Sequence, residues 1–515
     1  LNITDKLALT ARENPTKTAY IFADKKTTYG ELEGMVQKFA NGLQKLGFRQ
    51  GDHIALVLGN SPYYVIGLHG ALRLGLTVIP MNPLYTPSEM AYMLKDGDVK
   101  GIITMDILMD KFIPIVDDLS TLEYIVNCES GKEVPGSIKK EQLPTSILRF
   151  QEVIANGQLP FTGPKLVEED LAVILYTSGT TGKPKGAMLT HKNLYSNAQD
   201  VANYLHISQD DRVIAALPMF HVFCLTVSLN APLLNGGTII ILPQFSPTEV
   251  FRVASDYQAT VFAGVPTMYN YLLQSAKDNV DSFSSLRLCI SGGAAMPVSL
   301  LESFEQAFNV KVSEGYGLSE AAPVTSFNPL DRPRKTGSIG QNIVNVINKV
   351  VDETGNELPP GEVGELVVQG PNVMKGYYKM VDETAATIRD GWLYTGDMAR
   401  MDEDGYFYIV DRKKDMILVG GYNVYPREVE EVFYSNPSVV EVAVIGVPDP
   451  QTGEAVIAYV VVDNPDVKEI DLIEFSKQHL AKYKVPQSIY FLDELPKNTT
   501  GKILRKSLKE QVTNS

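Results

Sequence analysis

Residues 177–186 read TSGTTGKPKG, a run of hydroxyls and glycines closed by two lysines and entered from the apolar stretch LAVILY at 171–176. Gly179 and Gly182 let backbone N–H groups approach oxyanions closely, while Thr177, Ser178, Thr180 and Thr181 add hydroxyl donors. Lys183 and Lys185 bring positive charge, so the segment suits a polyphosphate. It is not a Walker loop, which needs four residues between its glycines and then Lys followed by Ser or Thr. Here only Thr180 and Thr181 separate Gly179 from Gly182, and Pro184 stands where the magnesium-binding hydroxyl would be. A flexible Gly/Thr surface turn has a similar composition, but it does not account for the Lys-Pro-Lys-Gly ending.

A second cluster of small residues follows the apolar run LRLCI at 286–290: Ser291, Gly292, Gly293 and Ala294, then Pro297 and the helically spaced Leu300, Leu301, Phe304 and Phe308. Glycines at the carboxyl end of a parallel strand are where open α/β sheets take ligands. The same residues also suit a plain tight turn, and their types alone do not choose between the two.

The elements that must carry these loops are those of a multi-domain α/β chain. At 515 residues the chain exceeds what one hydrophobic core organises, and 44% hydrophobic with 21% charged residues is ordinary for a globular protein. From about residue 50, β-branched runs alternate with segments of helical period. Strand-like HIALVL (53–58), a helix over 61–74 and strand-like LTVIP (76–80) form one βαβ unit. Thr190 caps a helix with Leu194, Ala198, Val201 and Leu205 on one face. Further strands are expected at 212–217, 238–242, 259–264 and 286–290.

From 331 the texture turns to short strands and Gly/Pro/Asp turns, an antiparallel subdomain. Beyond DRKKD at 411–415, helix 426–435, strands 440–446 and 454–462, helix 471–482 and strand 488–492 read as a small α+β domain; 131–168 is the most loop-like stretch. The fold class is therefore α/β: a large domain over 1–413 with mainly parallel sheets flanked by helices and an antiparallel β part, and a small mobile α+β domain over 414–515.

A net charge of −15 argues against nucleic acid as a partner. Cys128, Cys224 and Cys289 are scattered, and the latter two lie inside apolar runs, as buried thiols in a reduced cytoplasm would be. No run of 18 apolar residues marks a membrane span; the longest candidate, 65–81, is broken by His69 and Arg73. The expected location is cytoplasmic. Peripheral membrane contact, a homodimer and a removed leader before Leu1 stay open.

TSGTTGKPKG is followed in order by LPMFH (217–221), GVPT (264–267), SGGA (291–294), GYGLSE (315–320), YTGD (394–397), DRKKDMI (411–417) and PKNTTGKILR (496–505). This series, covering nearly the whole chain, resembles the adenylate-forming enzymes: acyl-CoA synthetases, aryl-CoA ligases, luciferases and peptide-synthetase adenylation domains. Within that superfamily the chain is most similar to AMP-forming fatty-acid CoA ligases. The implied reaction joins a fatty acid to AMP from MgATP and then passes the acyl group to CoA.

The resemblance also implies roles. Lys502 would bridge carboxylate and α-phosphate. Glu320, with Thr177, would hold magnesium, and Tyr316 would lie on adenine. Asp397 and Arg412 would take the ribose. Gly292, Gly293, Ala294, Glu314, Gly315, Gly317 and Ser319, with the 177–185 loop, would complete the nucleotide site. Ser319 departs from the more usual Thr but keeps the hydroxyl. Lys414 would be the hinge about which the small domain turns to withdraw Lys502 and present Gly420, Gly421 and Tyr422 to CoA. DRKKD also reads as a solvated charge run, although it sits at a composition boundary.

His221 matches an acyl-tunnel gate and also suits a hydrogen-bonded core histidine. Val222, Phe223, Val265, Gly293, Gly317 and Val324 would line the acyl pocket. FHVFCL at 220–225 lacks the Asp with which amino-acid adenylation domains hold an ammonium. Leu418 replaces a lysine of several relatives, against a luciferase. The alternatives are an aryl-acid or carrier-protein ligase on the same fold, and an inactive nucleotide-binding protein.

Overall fold

The computed structural model describes residues 2–132, 145–177, 183–499 and 501–513. Two large mixed sheets organise the N-terminal part. The nine-stranded sheet runs Gln341–Asn342, Val324–Phe327, Val312–Gly317, Leu288–Ser291, Val261–Gly264, Arg212–Ala215, Thr238–Ile241, Thr18–Phe22 and Lys25–Thr28. The pairs from Val312–Gly317 through Thr18–Phe22 are all parallel. In the eight-stranded sheet Leu171–Thr177 is parallel to Thr77–Pro80 but antiparallel to Lys185–Thr190. The central strands are buried throughout, because helices cover both faces of a parallel sheet.

Local chemistry starts the helices where the sequence marks them. Thr190 accepts the Asn193 N–H on Oγ1 at 3.1 Å, and Asn193 Oδ1 accepts the Thr190 N–H at 2.8 Å, opening helix His191–Tyr204. Leu194, Ala198 and Val201 on that helix are fully buried, as is Leu205 just past its end. Helix Val298–Phe308 begins directly after Pro297.

Past residue 340 the chain builds an antiparallel sheet of Ile347–Val351, Gly364–Gln369, Trp392–Met401 and Ile388–Arg389, with Phe407–Arg412 paired to Trp392–Met401. The next strand, Ile417–Val419, pairs instead with Tyr422–Val424 and Gly453–Val462, in the sheet of the small C-terminal α+β domain. Strand pairing thus changes sides between Arg412 and Ile417. The C-terminal domain carries its own apolar clusters, one around Val424, Phe433, Val444 and Val460 and one around Ala443, Ile445, Leu495 and Leu508; neither includes a residue before Ile417.

Several elements differ from the sequence expectation. Within 131–168 the described part holds strand Ser146–Arg149 and helix Phe150–Asn156, whose Phe150 stacks on Phe39 at 4.5 Å. The helix expected over 471–482 is Glu469–Lys477, followed by a 3₁₀ turn at Lys482–Lys484; Pro486 disfavours an α conformation at the residue before it. Cys128, Cys224 and Cys289 are buried free thiols, and burial pushes each one's pKa up. Among the described residues no helix is long and apolar enough to cross a membrane.

Candidate active site

A cleft of ≈ 1490 Å³ lies where the ends of the two large sheets, the antiparallel sheet and the C-terminal domain meet. Thr177 and Lys185 are paired in antiparallel register, so the two ends of the glycine-rich loop sit side by side at its edge. Ser178, Gly179, Thr180, Thr181 and Gly182 lie outside the described residues. The Lys185 ammonium contacts the Glu383 carboxylate and lies 5.5 Å from the Tyr377 ring centre.

Strand Leu288–Ser291 delivers Gly292, Gly293 and Ala294 to one wall; Gly293 takes φ +78°, and a Cβ there would meet Val265 at 3.3 Å. Strand Val312–Gly317 brings Glu314, Gly315, Tyr316 and Gly317 to the neighbouring wall. A Cβ on Gly315 would fall 2.0 Å from the Phe327 ring, so glycine is what lets this strand lie on Val324–Phe327.

Asp397 stands opposite Arg412 in the antiparallel ladder, with Arg412 Nε 3.8 Å from its Oδ1. It accepts a hydrogen bond from the Tyr316 hydroxyl. Glu320, next to Ser319 in a short 3₁₀ turn, accepts the Tyr377 hydroxyl on Oε1 at 2.8 Å.

Lys502 reaches this cleft from the C-terminal domain. Its turn is fixed by Asn498, which donates its N–H to Lys502 O at 2.8 Å and accepts Lys502 N–H on Oδ1 at 2.9 Å, with Gly501 at φ +78°. Among the described residues, two bonds dock the turn: Thr267 Oγ1 donates to Gly501 O at 3.0 Å, and Asn82 Nδ2 donates to Thr499 Oγ1 at 2.8 Å. Burial, reinforced by the positive charge of Arg412 and opposed by Asp397, lowers the Lys502 ammonium to about 8. His221 is lowered to about 4 by burial and then by Lys502. Its Nδ1 accepts the Phe223 N–H at 3.2 Å, so a neutral ring carries its proton on Nε2.

Val222, Phe223, Val265 and Val324 are buried and line the same cleft, as does Lys414, whose pKa is lowered chiefly by burial. Gly420, Gly421 and Tyr422 do not line it. They form the tip of a hairpin held by Gly420 N donating to Thr452 O at 2.8 Å, with exposed Tyr422 stacked on Tyr483 at 4.9 Å. Sequence reasoning missed Tyr377, Thr267, Asn82 and Glu383. None of these stands in the recognised motifs as a reactive residue, and each matters only through a partner far along the chain.

Residues 7–378 match the family model of the AMP-binding enzyme, and residues 428–502 that of the AMP-binding enzyme C-terminal domain. The chain belongs to the AMP-binding, adenylate-forming enzymes. Among its relatives, a long-chain-fatty-acid–CoA ligase of Bacillus subtilis (strain 168) is 41% identical over 521 residues, covering 97% of this chain and 93% of that protein. A feruloyl-CoA synthase of Amycolatopsis sp is 35% identical, covering 97% of each chain. The crystal structure of ATP-bound MatB from Rhodopseudomonas palustris superposes with TM-score 0.91 at 34% identity, covering 100% of this chain and 99% of that one. An adenylate-forming enzyme couples a carboxylic acid to AMP taken from ATP and hands the acyl group to a thiol; the cleft collects an ammonium, a carboxylate–guanidinium pair and an apolar wall suited to that ligase chemistry.

Proposed function

We propose that this enzyme activates a medium- to long-chain fatty acid with MgATP and transfers the acyl group to CoA. The observation that carries the reading is the seating of Lys502 in one cleft with Asp397, Tyr316 and an apolar wall of Val222, Phe223, Val265 and Val324. An unpaired ammonium against Val222, Phe223, Val265 and Val324 would lose its hydration without compensation, whereas an alkyl chain gains by the same burial.

In the first half-reaction an anionic carboxylate must attack the anionic α-phosphate and expel pyrophosphate. Lys502, entering from the side of Asp397 and Arg412, stabilises the negative charge shared by the two reactants as they meet. Tyr316 stacks on the base, Asp397 accepts from the ribose hydroxyls with Arg412 behind it, and the 177–185 loop takes the phosphates. Magnesium keeps several waters and needs only one or two protein carboxylates beside substrate phosphates. Glu320, oriented by Tyr377, fits that demand, and Thr177 lines the same cleft. When bound, the ion would neutralise phosphate oxygens.

In the second half-reaction the thiol of CoA attacks the acyl carbon and AMP leaves. Lys502 lines the cleft in the present arrangement, and Gly420, Gly421 and Tyr422 stand outside it. The C-terminal domain, 414–515, therefore turns about Lys414 to exchange them. Neutral His221 at the apolar wall is placed to gate the acyl chain.

The test is AMP release with saturated fatty acids of graded length and with aromatic acids, each with and without CoA. The proposal expects CoA-dependent turnover that rises with chain length. Turnover confined to aromatic acids would assign an aryl-CoA ligase instead.

A further inference from the structure

Glu314 is only 2% exposed, two residues before Tyr316 on the strand that forms the nucleotide wall. Its Oε1 accepts the Met296 N–H at 3.2 Å, and Oε2 has no hydrogen-bond partner among the described residues. A buried carboxylate so poorly served needs a cation. The guanidinium beside it comes from the other domain: Arg427, on helix Pro426–Tyr434, places Nη2 3.9 Å from Oε1. Arg427 is itself 14% exposed and firmly aimed, its Nη1 donating to Ile409 O at 2.9 Å and its backbone N–H to Asp411 Oδ2 at 2.9 Å.

Two further contacts of this helix across the same boundary involve at most one charge: Val298 N–H donates to Glu431 Oε2 at 3.5 Å, and Ser299 Oγ donates to Tyr434 O at 3.3 Å. A buried charge pair is strongly felt when one member leaves, because the other is stranded.

We propose that Arg427 is a positioning residue that holds the C-terminal domain in the adenylation arrangement by supplying the counter-charge to Glu314 beneath the nucleotide site. This rests on the two-arrangement reading of the proposed function. Turning the domain removes the guanidinium and leaves Glu314 with the Met296 amide alone. The preference of Glu314 for a partner therefore biases the domain toward the arrangement that seats Lys502. Burial, partly offset by Arg427, raises the Glu314 carboxyl to about 7, with Glu431 on the same helix pushing it further up, so the pair is fully charged, and its hold on the domain strongest, above that pH.

The experiment measures the half-reactions separately, as ATP–pyrophosphate exchange with a fatty acid and as thioester formation from supplied acyl-AMP and CoA. Arg427→Ala is expected to lower the kcat of exchange about tenfold, the effect of a 1.4 kcal/mol bias, while thioester formation is kept or quickened. Glu314→Gln retains an acceptor for Met296 but removes the charge, so the double variant should lose less exchange than the product of the single losses. Arg427→Lys, which keeps the charge, should retain most of the exchange and serves if the alanine variant folds poorly.

Parallel loss of both half-reactions in Arg427→Ala, or strictly multiplicative losses in the double variant, would overturn the proposal. Wild-type protein with no exchange on any acid would instead overturn the functional reading beneath it.

Discussion

At the residue scale, reactivity comes from environment. Lys502 is an ordinary ammonium until its turn is pressed into the cleft, where burial and Arg412 bring it down to about 8. A lysine with a lowered pKa is charged below that value and neutral above it. The free enzyme's kcat/KM for adenylation should therefore fall as pH rises through about 8. Lys502→Arg, whose guanidinium stays protonated, should be slower but should lose that alkaline limb. Lys502→Ala should cut adenylation by about 10²–10³-fold, the loss typical of removing one preorganised stabilising group, and spare thioester formation from acyl-AMP. A limb that survives in Lys502→Arg would show that another group titrates.

At the element scale the division of labour is visible in strand pairing. Phe407–Arg412 belongs to the antiparallel sheet and Ile417–Val419 to the C-terminal sheet, so the four residues between them carry the change of direction. Lys414→Pro would lock φ at about −65° in that connection. The expected outcome is a thioester step slowed at least about tenfold with adenylation changed less, read by single-turnover assays of each half-reaction. Equal slowing of both would place the pivot elsewhere.

The same scale shows what could be read from the residues. The βαβ unit at 53–80, the Thr190 cap and the glycine turn after 286–290 were legible because each rests on local spacing and capping chemistry. The capping box of Thr28 and Glu31 that opens helix Tyr29–Lys45 was equally local and was passed over. The partners that orient the site were not legible. Tyr377 is 57 residues from Glu320, Thr267 is 234 from Gly501, and Asn82 is 417 from Thr499. No periodicity or turn signal encodes contacts closed over such distances. Helix Phe150–Asn156 was hidden because it is short and its order comes from stacking on Phe39 in another helix.

At the scale of the whole molecule, the two domains own separate cores. The apolar clusters of the C-terminal domain begin at Ile417, and the large N-terminal cluster ends at Leu393. Polar contacts join the domains around the cleft: Arg427 with Glu314, Thr267 with Gly501, Asn82 with Thr499. With separate apolar clusters the domains can part without unfolding, and their stabilities are only loosely linked.

Calorimetry of the ligand-free protein should resolve two transitions. A non-reactive acyl-adenylate analogue would be gripped by Asp397 and Tyr316 from one domain and by Lys502 from the other. At about 100 times its Kd, such a ligand adds about 2.7 kcal/mol to whatever must unfold for it to leave. Both transitions should then rise and converge. In Lys502→Ala the C-terminal transition should move less than in the wild type, since the analogue loses its ammonium contact with the small domain. A wild-type C-terminal transition that stays put at saturating analogue would mean that the ligand is held by one domain alone, and the shared-grip account of adenylation would fail.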